Sequence, residues 1–146
     1  MLEVTQALFT ALNSDGTLTA QLGTVDVGAG AIPSIFNGEM VVEEPEPTIF
    51  PFIVFSLTED SYDGVKGQDA REVGYEILIA GGEALIYDKE TLATIAERIR
   101  VLLHKVILSV TGWTMTVALV DGPVYAGFND QSVALSMTYT CRVYKD

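Results

Sequence analysis

Residues 131–146 read QSVALSMTYTCRVYKD, and apolar and polar side chains alternate there almost to the last position. Val133, Leu135, Met137, Tyr139, Cys141 and Val143 fall on one face, and Ser132, Ala134, Ser136, Thr138, Thr140, Arg142 and Tyr144 on the other. A period of two belongs to a β-strand, and the contrast between its faces predicts one side buried under helices and one polar side. About 14 residues at about 3.3 Å each span roughly 46 Å, whereas a compact domain of this length is roughly 38 Å across. Such a strand crosses the whole molecule, bends, or projects past it. It is either tied into a sheet or offers an edge to a neighbour.

Working outward from that strand, GFND (127–130) is a turn that joins it to GWTMTVALVDGPVYA (112–126). The latter predicts another strand, with Asp121, Gly122 and Pro123 bending or ending it. Further back, residues 88 to about 107 give the clearest helix. Asp88 suits the N-cap and Glu90 the positive end of the helix dipole. Leu92, Ile95, Ala96, Ile99, Leu102, Leu103 and Val106 keep the three-and-four spacing of a single apolar face, which makes this helix the expected main partner of the sheet. REVGYEILIAG (71–81) alternates like the last strand and is expected to pair with PFIVFSLTE (51–59), rich in β-branched and aromatic residues. The polar DSYDGVKGQDA (60–70) between them is too long for a tight turn and reads as a projecting hairpin arm, 60–71.

Toward the start, Leu2, Leu8, Phe9 and Leu12 have helical spacing, and NSDG ends that run. TLTAQLG adds one or two helical turns, with Gly23 expected at the C-cap. Residues 24–50 carry glycine, proline and the acidic run VEEPEPT, and read as a long loop with a short strand around 35–40. The fold class that results is α+β: one domain, 1–146, with a mixed or mainly antiparallel sheet of four to five strands and two main helices packed on one face.

Composition narrows the function. Twenty Asp and Glu against eight Lys and Arg give a net charge of −12, and no basic cluster is present to neutralise phosphates, so a tight nucleic-acid binder is not expected. Anionic membrane surfaces are disfavoured for the same reason. The one cysteine excludes an internal disulfide and a cysteine zinc cluster. The start, MLEVTQALFTALNSDG, lacks the basic and continuous apolar regions of a secretory leader. VLLHKVILSV (101–110) is broken by His104 and Lys105, so no membrane-spanning helix is expected and the chain reads as cytoplasmic when made.

Chemical motifs are weak. GAG at 28–30 lacks the third glycine and the following helix of a dinucleotide loop. EDSYDGVKGQDARE places Ala70 where a calcium loop needs a bidentate Glu. His104, the only histidine, reads as a surface or cap residue, and Cys141 as a buried core thiol. The scattered carboxylates read as a solvated acidic surface, and Trp113 as a core or interface anchor. No catalytic residue, cofactor or metal site is assigned, and an enzyme is not expected.

The order of elements carries more. An N-terminal helix, the LTAQLG turn, IFNG, PFIVF, YEILIAGGEA, the helix LATIAERIRVLLH, WTMTVALVDG and the closing SVALSMTYTCRVYKD follow one another. Over nearly the whole chain this order resembles the tail-completion, or tail-terminator, proteins of long-tailed bacteriophages. That family often ends on a strand reading like SLDFRVWY, and ALSMTYTCRVY (134–144) is similar to it. The chain departs from the pattern in a longer, more acidic 24–50 segment and in ending on Val143-Tyr144 without a tryptophan.

The resemblance implies a non-enzymatic virion protein, made in the bacterial cytoplasm and residing in the tail or neck. It forms a ring, commonly a hexamer, on the head-proximal end of the tail tube, stops tube polymerisation and gives the head a docking surface. Its implied partners are other copies of itself, the tail tube protein and head–tail connector proteins, with DNA passing nearby and not specifically bound. The 60–71 arm, the 24–50 loop and the free edge of the sheet are the candidate contacts, with Asp60, Tyr62, Asp63, Lys66 and Arg71 for subunit or tube contact and Glu43, Glu44 and Glu46 for an acidic loop or lumen. Two other readings stand beside this one: another neck component, such as a head–tail connector or minor capsid protein, and a non-viral α+β domain that binds a small ligand or peptide.

Overall fold

The computed structural model describes residues 2–26, 28–38, 49–62, 70–83, 89–110, 112–125 and 132–145. The last strand, β8 (Ser132–Lys145), is the middle of the structure. It lies between β5 (Ala70–Glu83) and β7 (Trp113–Tyr125), antiparallel to both. Among the described residues the sheet has six strands in the order β3-β4-β5-β8-β7-β6, with β4 at Phe52–Tyr62, β3 at Ile35–Asn37 and β6 at Val106–Val110. The pair β3–β4 is parallel and the rest antiparallel, so the sheet is mixed. The chain therefore exceeds the expected four to five strands. Residues 24–50 hold β1 (Thr24–Asp26), β2 (Ala31–Pro33) and β3 where a loop with one short strand was expected.

The helix α3 (Lys89–Leu103) lies across the centre of the sheet, touching β5, β7 and β8. Leu92, Ile95, Ala96, Ile99 and Leu103 are buried against Val73, Tyr75, Ile77, Met115, Val117, Leu135, Met137, Tyr139 and Cys141 in one cluster. The helix α1 (Leu2–Asn13) completes the cluster with Val4, Leu8 and Leu12. It touches both β3 and β6, the two outermost strands, so the sheet curls until α1 spans the gap between its margins. Both main helices thus sit on one face, as the alternation in the strands requires.

The helix ends earlier than its sequence period suggests. His104 donates its amide to Arg100 O, and Lys105 adopts φ +57°, the left-handed stop that glycine usually fills. Val106, which continues the apolar helical spacing, instead opens β6. Period alone could not separate the two, because Val106 faces the core in either geometry. Asp88, expected at the N-cap, lies outside the described residues. Gly23 is not the cap of the short α2 (Gly16–Thr19): Ala20 is, and the Gly23 amide reaches Pro51 O at 2.8 Å, joining this turn to the start of β4.

β7 bends, as Asp121, Gly122 and Pro123 suggested, through register shifts between Leu119 and Val124. Gly122 has φ +95°, and a Cβ there would stand 2.6 Å from Ser136 O, so only glycine lets β7 lie this close to β8. At the far corner Gly82, at φ +68°, gives way to the Phe50 ring, which a Cβ would meet at 3.0 Å. Phe50, Phe52 and Phe36 form a chain of ring contacts there, with centroids 5.2 and 6.0 Å apart.

Candidate assembly surface

Of the five residues expected on the arm, the structure brings two together. Arg71 grips Asp60 with two hydrogen bonds, Nε to Oδ1 at 3.0 Å and Nη2 to Oδ2 at 2.8 Å, where β4 and β5 run toward the arm. The side chains stay a quarter and a fifth exposed, so this fork ties the strand ends without being sealed in the core. Tyr62 has its backbone in β4, opposite Arg71. Its side chain, Asp63 and Lys66 lie outside the described residues, as do Glu43, Glu44 and Glu46.

The residues that could have been chemically active have structural tasks. Cys141 is fully buried, and burial pushes its thiol up to about 12. A thiol so placed does not supply a thiolate nucleophile near neutral pH. His104 was expected as a surface or cap residue. Its Nδ1 instead accepts the Leu119 amide at 3.0 Å, continuing past β6 the edge pairing that β6 makes with β7. The described residues contain no group of three His, Cys, Asp or Glu suited to a metal ion, and none of the described helices is long and apolar enough to cross a membrane.

What the chain offers outwardly is sheet. The side away from the helices presents Glu72, Thr116, Ala118, Val120, Thr140 and Arg142 around an open groove of about 460 Å³. Glu59, Glu76 and Asp121 add acidic charge to that side, by their register positions opposite Gly74, Ser56 and Thr138. Trp113, expected as an anchor, is half-buried where β7 begins and packs against the core.

The margins differ in character. Past Phe55, β4 runs without β3 beside it and carries a bulge, Glu59 and Asp60. Past Val117, β7 runs without β6 and carries two register shifts, Asp121 and Pro123. Bulges, charge and proline are the devices that keep a sheet edge from pairing with a stranger. β6 has none of them: its residues are Val, Ile, Leu, Ser and Val, and Ile107 is 71% exposed. A second groove of about 460 Å³ runs between β6 and α1, with Glu3, Gln6, Ala7, Thr10 and Ala11 on one wall and Leu108 and Ser109 on the other. This strand was hidden from sequence reading inside the end of the apolar helix period. The uncharged β-branched run after Lys105 was the only local sign of it.

No family model matches the chain, and no curated protein matches it. The class that the fold defines, a curled mixed sheet under two helices, has a counterpart among solved structures. A chain in the virion of a native gene transfer agent particle superposes with a TM-score of 0.71 at 14% sequence identity, over 97% of this chain and 95% of that one. The likeness is one of fold, end to end.

Proposed function

We propose that this chain is a structural subunit of a phage-like virion, and that it caps the head-proximal end of a tail tube as a ring, commonly hexameric, ending tube growth and giving the head a surface to dock on. The observation that carries this reading is the end-to-end fold likeness to a chain of a gene transfer agent virion. Coverage of both chains above nine-tenths means that the whole architecture is shared, not one motif within it. The order of elements that resembles tail-terminator proteins supports the particular position. The open sheet face and its margins supply the kind of surface from which identical copies build closed, head-to-tail assemblies. A non-enzymatic role agrees with a thiol and an imidazole both engaged in the fold.

Charge has a use in this setting. Six copies at −12 each sum to −72. Carboxylates along a central channel repel phosphates from its wall, so DNA passes without sticking. Glu43, Glu44 and Glu46 are the proposed lining, and the Asp60–Arg71 fork with Tyr62, Asp63 and Lys66 the proposed contact with tube or neighbour.

Light scattering and negative-stain imaging of the purified chain, alone and with tail tube protein, test the reading. A toroid that binds tube ends, and tubes that overrun their length when the chain is withheld, are the expected results. Cross-links to portal-side proteins without any to the tube would move the chain to another neck position. A monomer indifferent to tubes would overturn the virion reading itself.

A further inference from the structure

Two features of the fold fit each other. The β1–β2 ribbon pairs only with itself among the described residues, and forms a two-stranded sheet apart from the main one. Its base is pinned where Ser34 donates its amide to Gly23 O at 3.0 Å, so it leaves the body beside β3, at the margin of the sheet remote from β6 in strand order. Ile32 on the ribbon is 43% exposed. A bare two-stranded ribbon is marginal in water and gains from a surface to lie on. The second feature is β6, the margin without bulge, charge or proline, with the groove of α1 alongside.

We infer that β6 of one copy accepts the β1 strand of the next copy, so that the β1–β2 ribbon lies in the groove between β6 and α1 and lengthens the main sheet. This rests on the ring reading above and names its joint. Of the other margins among the described residues, β3 is only three residues long, and the stretches of β4 and β7 beyond their neighbours are blocked by their bulges, acidic residues and Pro123. Within the ribbon, Pro33 lacks an amide hydrogen and blunts β2, which leaves β1 as the strand that pairs. Charge sets the polarity. Asp26 is the single charged residue between 24 and 33; Glu3 in the groove repels it, and Lys105, exposed at the foot of β6, attracts it. Ile32 and Val25 meet Leu108 in the groove, while Ile107, opposite Thr116, stands exposed on the outer side of the same edge. Donor and acceptor are different surfaces, so the contact is heterologous and repeats from copy to copy until a ring closes.

A photo-crosslinking residue at position 107, where the side chain is mostly in solvent, reads the joint directly by mass spectrometry of the adducts. Adducts on residues 24–33 of another copy, in toroidal particles, are expected. Toroids whose adducts fall only elsewhere would overturn the joint and leave the ring reading standing. Open chains of copies with adducts on 24–33 would keep the joint and overturn the closed ring. A chain that stays monomeric with and without tubes, and gives no adduct, would overturn both. The variant Ile107→Lys puts charge on the exposed edge without touching the core. It is expected to weaken self-association by about tenfold or more at an unchanged melting temperature, and unaltered association would count against the joint.

Discussion

The two faces of β8 belong to one backbone and live in different surroundings. On the helix side Leu135, Met137, Tyr139, Cys141 and Val143 are all buried beneath α3 and α1. On the other side Ala134 is buried beside Ala80, Ser136, Thr138 and Thr140 are half-buried, and Arg142 and Tyr144 are exposed, so this face opens along the strand. Hydrophobic stabilisation scales with apolar area removed from water, so the helix side carries most of the fold and the far side, from Ser136 onward, is left free to meet other molecules. The sharpest break of that comparison is a pair of truncations. Ile99→Ala in α3, at a fully buried site, is expected to cost about 2–5 kcal/mol. Thr140→Ala on the open side is expected to stay within about 0.5 kcal/mol. Urea titrations of both variants measure this, and equal losses would mean that the open side is as much a core as the closed one.

A finer contrast sits within the buried side. Tyr75 and Tyr139 face each other across β5 and β8, and both are fully buried. The Tyr75 hydroxyl is 2.5 Å from Thr5 Oγ1 on α1, while the Tyr139 hydroxyl has no hydrogen-bond partner among the described residues. Burial raises both phenols above their ordinary range. A satisfied buried hydroxyl contributes and an unsatisfied one costs, so the same substitution should act in opposite directions. Tyr75→Phe is expected to lose about 0.5–1.5 kcal/mol, and Tyr139→Phe to be neutral or to gain about 1 kcal/mol. A loss at Tyr139 as large as at Tyr75 would reveal a water holding the second hydroxyl.

These two faces were legible in the sequence because period two over 14 residues admits one geometry. The face of α3 was legible for the same reason, since Leu92, Ile95, Ala96 and Ile99 repeat at the helical interval. Legibility failed where one pattern serves two structures. Val106 faces the core whether the helix continues or a strand begins, and the switch depends on Lys105 turning to positive φ, which a lysine does not announce. β1, β2 and β3 are three residues each, too short for alternation to register, and the parallel pairing of β3 with β4 is a long-range choice without local trace. For the candidate surface, Asp60 and Arg71 were named from charge on an arm, and the bidentate fork follows from strand register. The unguarded β6 margin was missed along with the strand itself.

The smallest effect concerns the rim of the helix layer, where burial gives way to solvent. Arg98 on α3 reaches Asp15 with Nε to Oδ2 at 2.8 Å and Nη2 to Oδ1 at 2.6 Å, and Asp15 Oδ2 also accepts the Leu18 amide at 2.8 Å as N-cap of α2. The Arg98 guanidinium, ahead of the opposing desolvation and assisted by the Leu18 amide, holds this carboxyl below the usual carboxylate range. A carboxyl depressed on folding adds stability that is present above its unfolded value of about 3.9. That contribution is lost as pH falls through the lower folded value. Arg98→Ala is therefore expected to cost about 0.2–1 kcal/mol at neutral pH, as partly exposed ion pairs do. The gap between wild type and variant should close as the pH drops below about 4. Thermal melts of both proteins across that range read the gap while cancelling the other carboxylates they share. Asp15→Ala also removes the cap, and is expected to cost somewhat more, about 0.5–2 kcal/mol. If the gap persisted at low pH, Arg98 would be supporting α2 by packing its stem and not through its charge, and the rim would be governed by the same physics as the buried face.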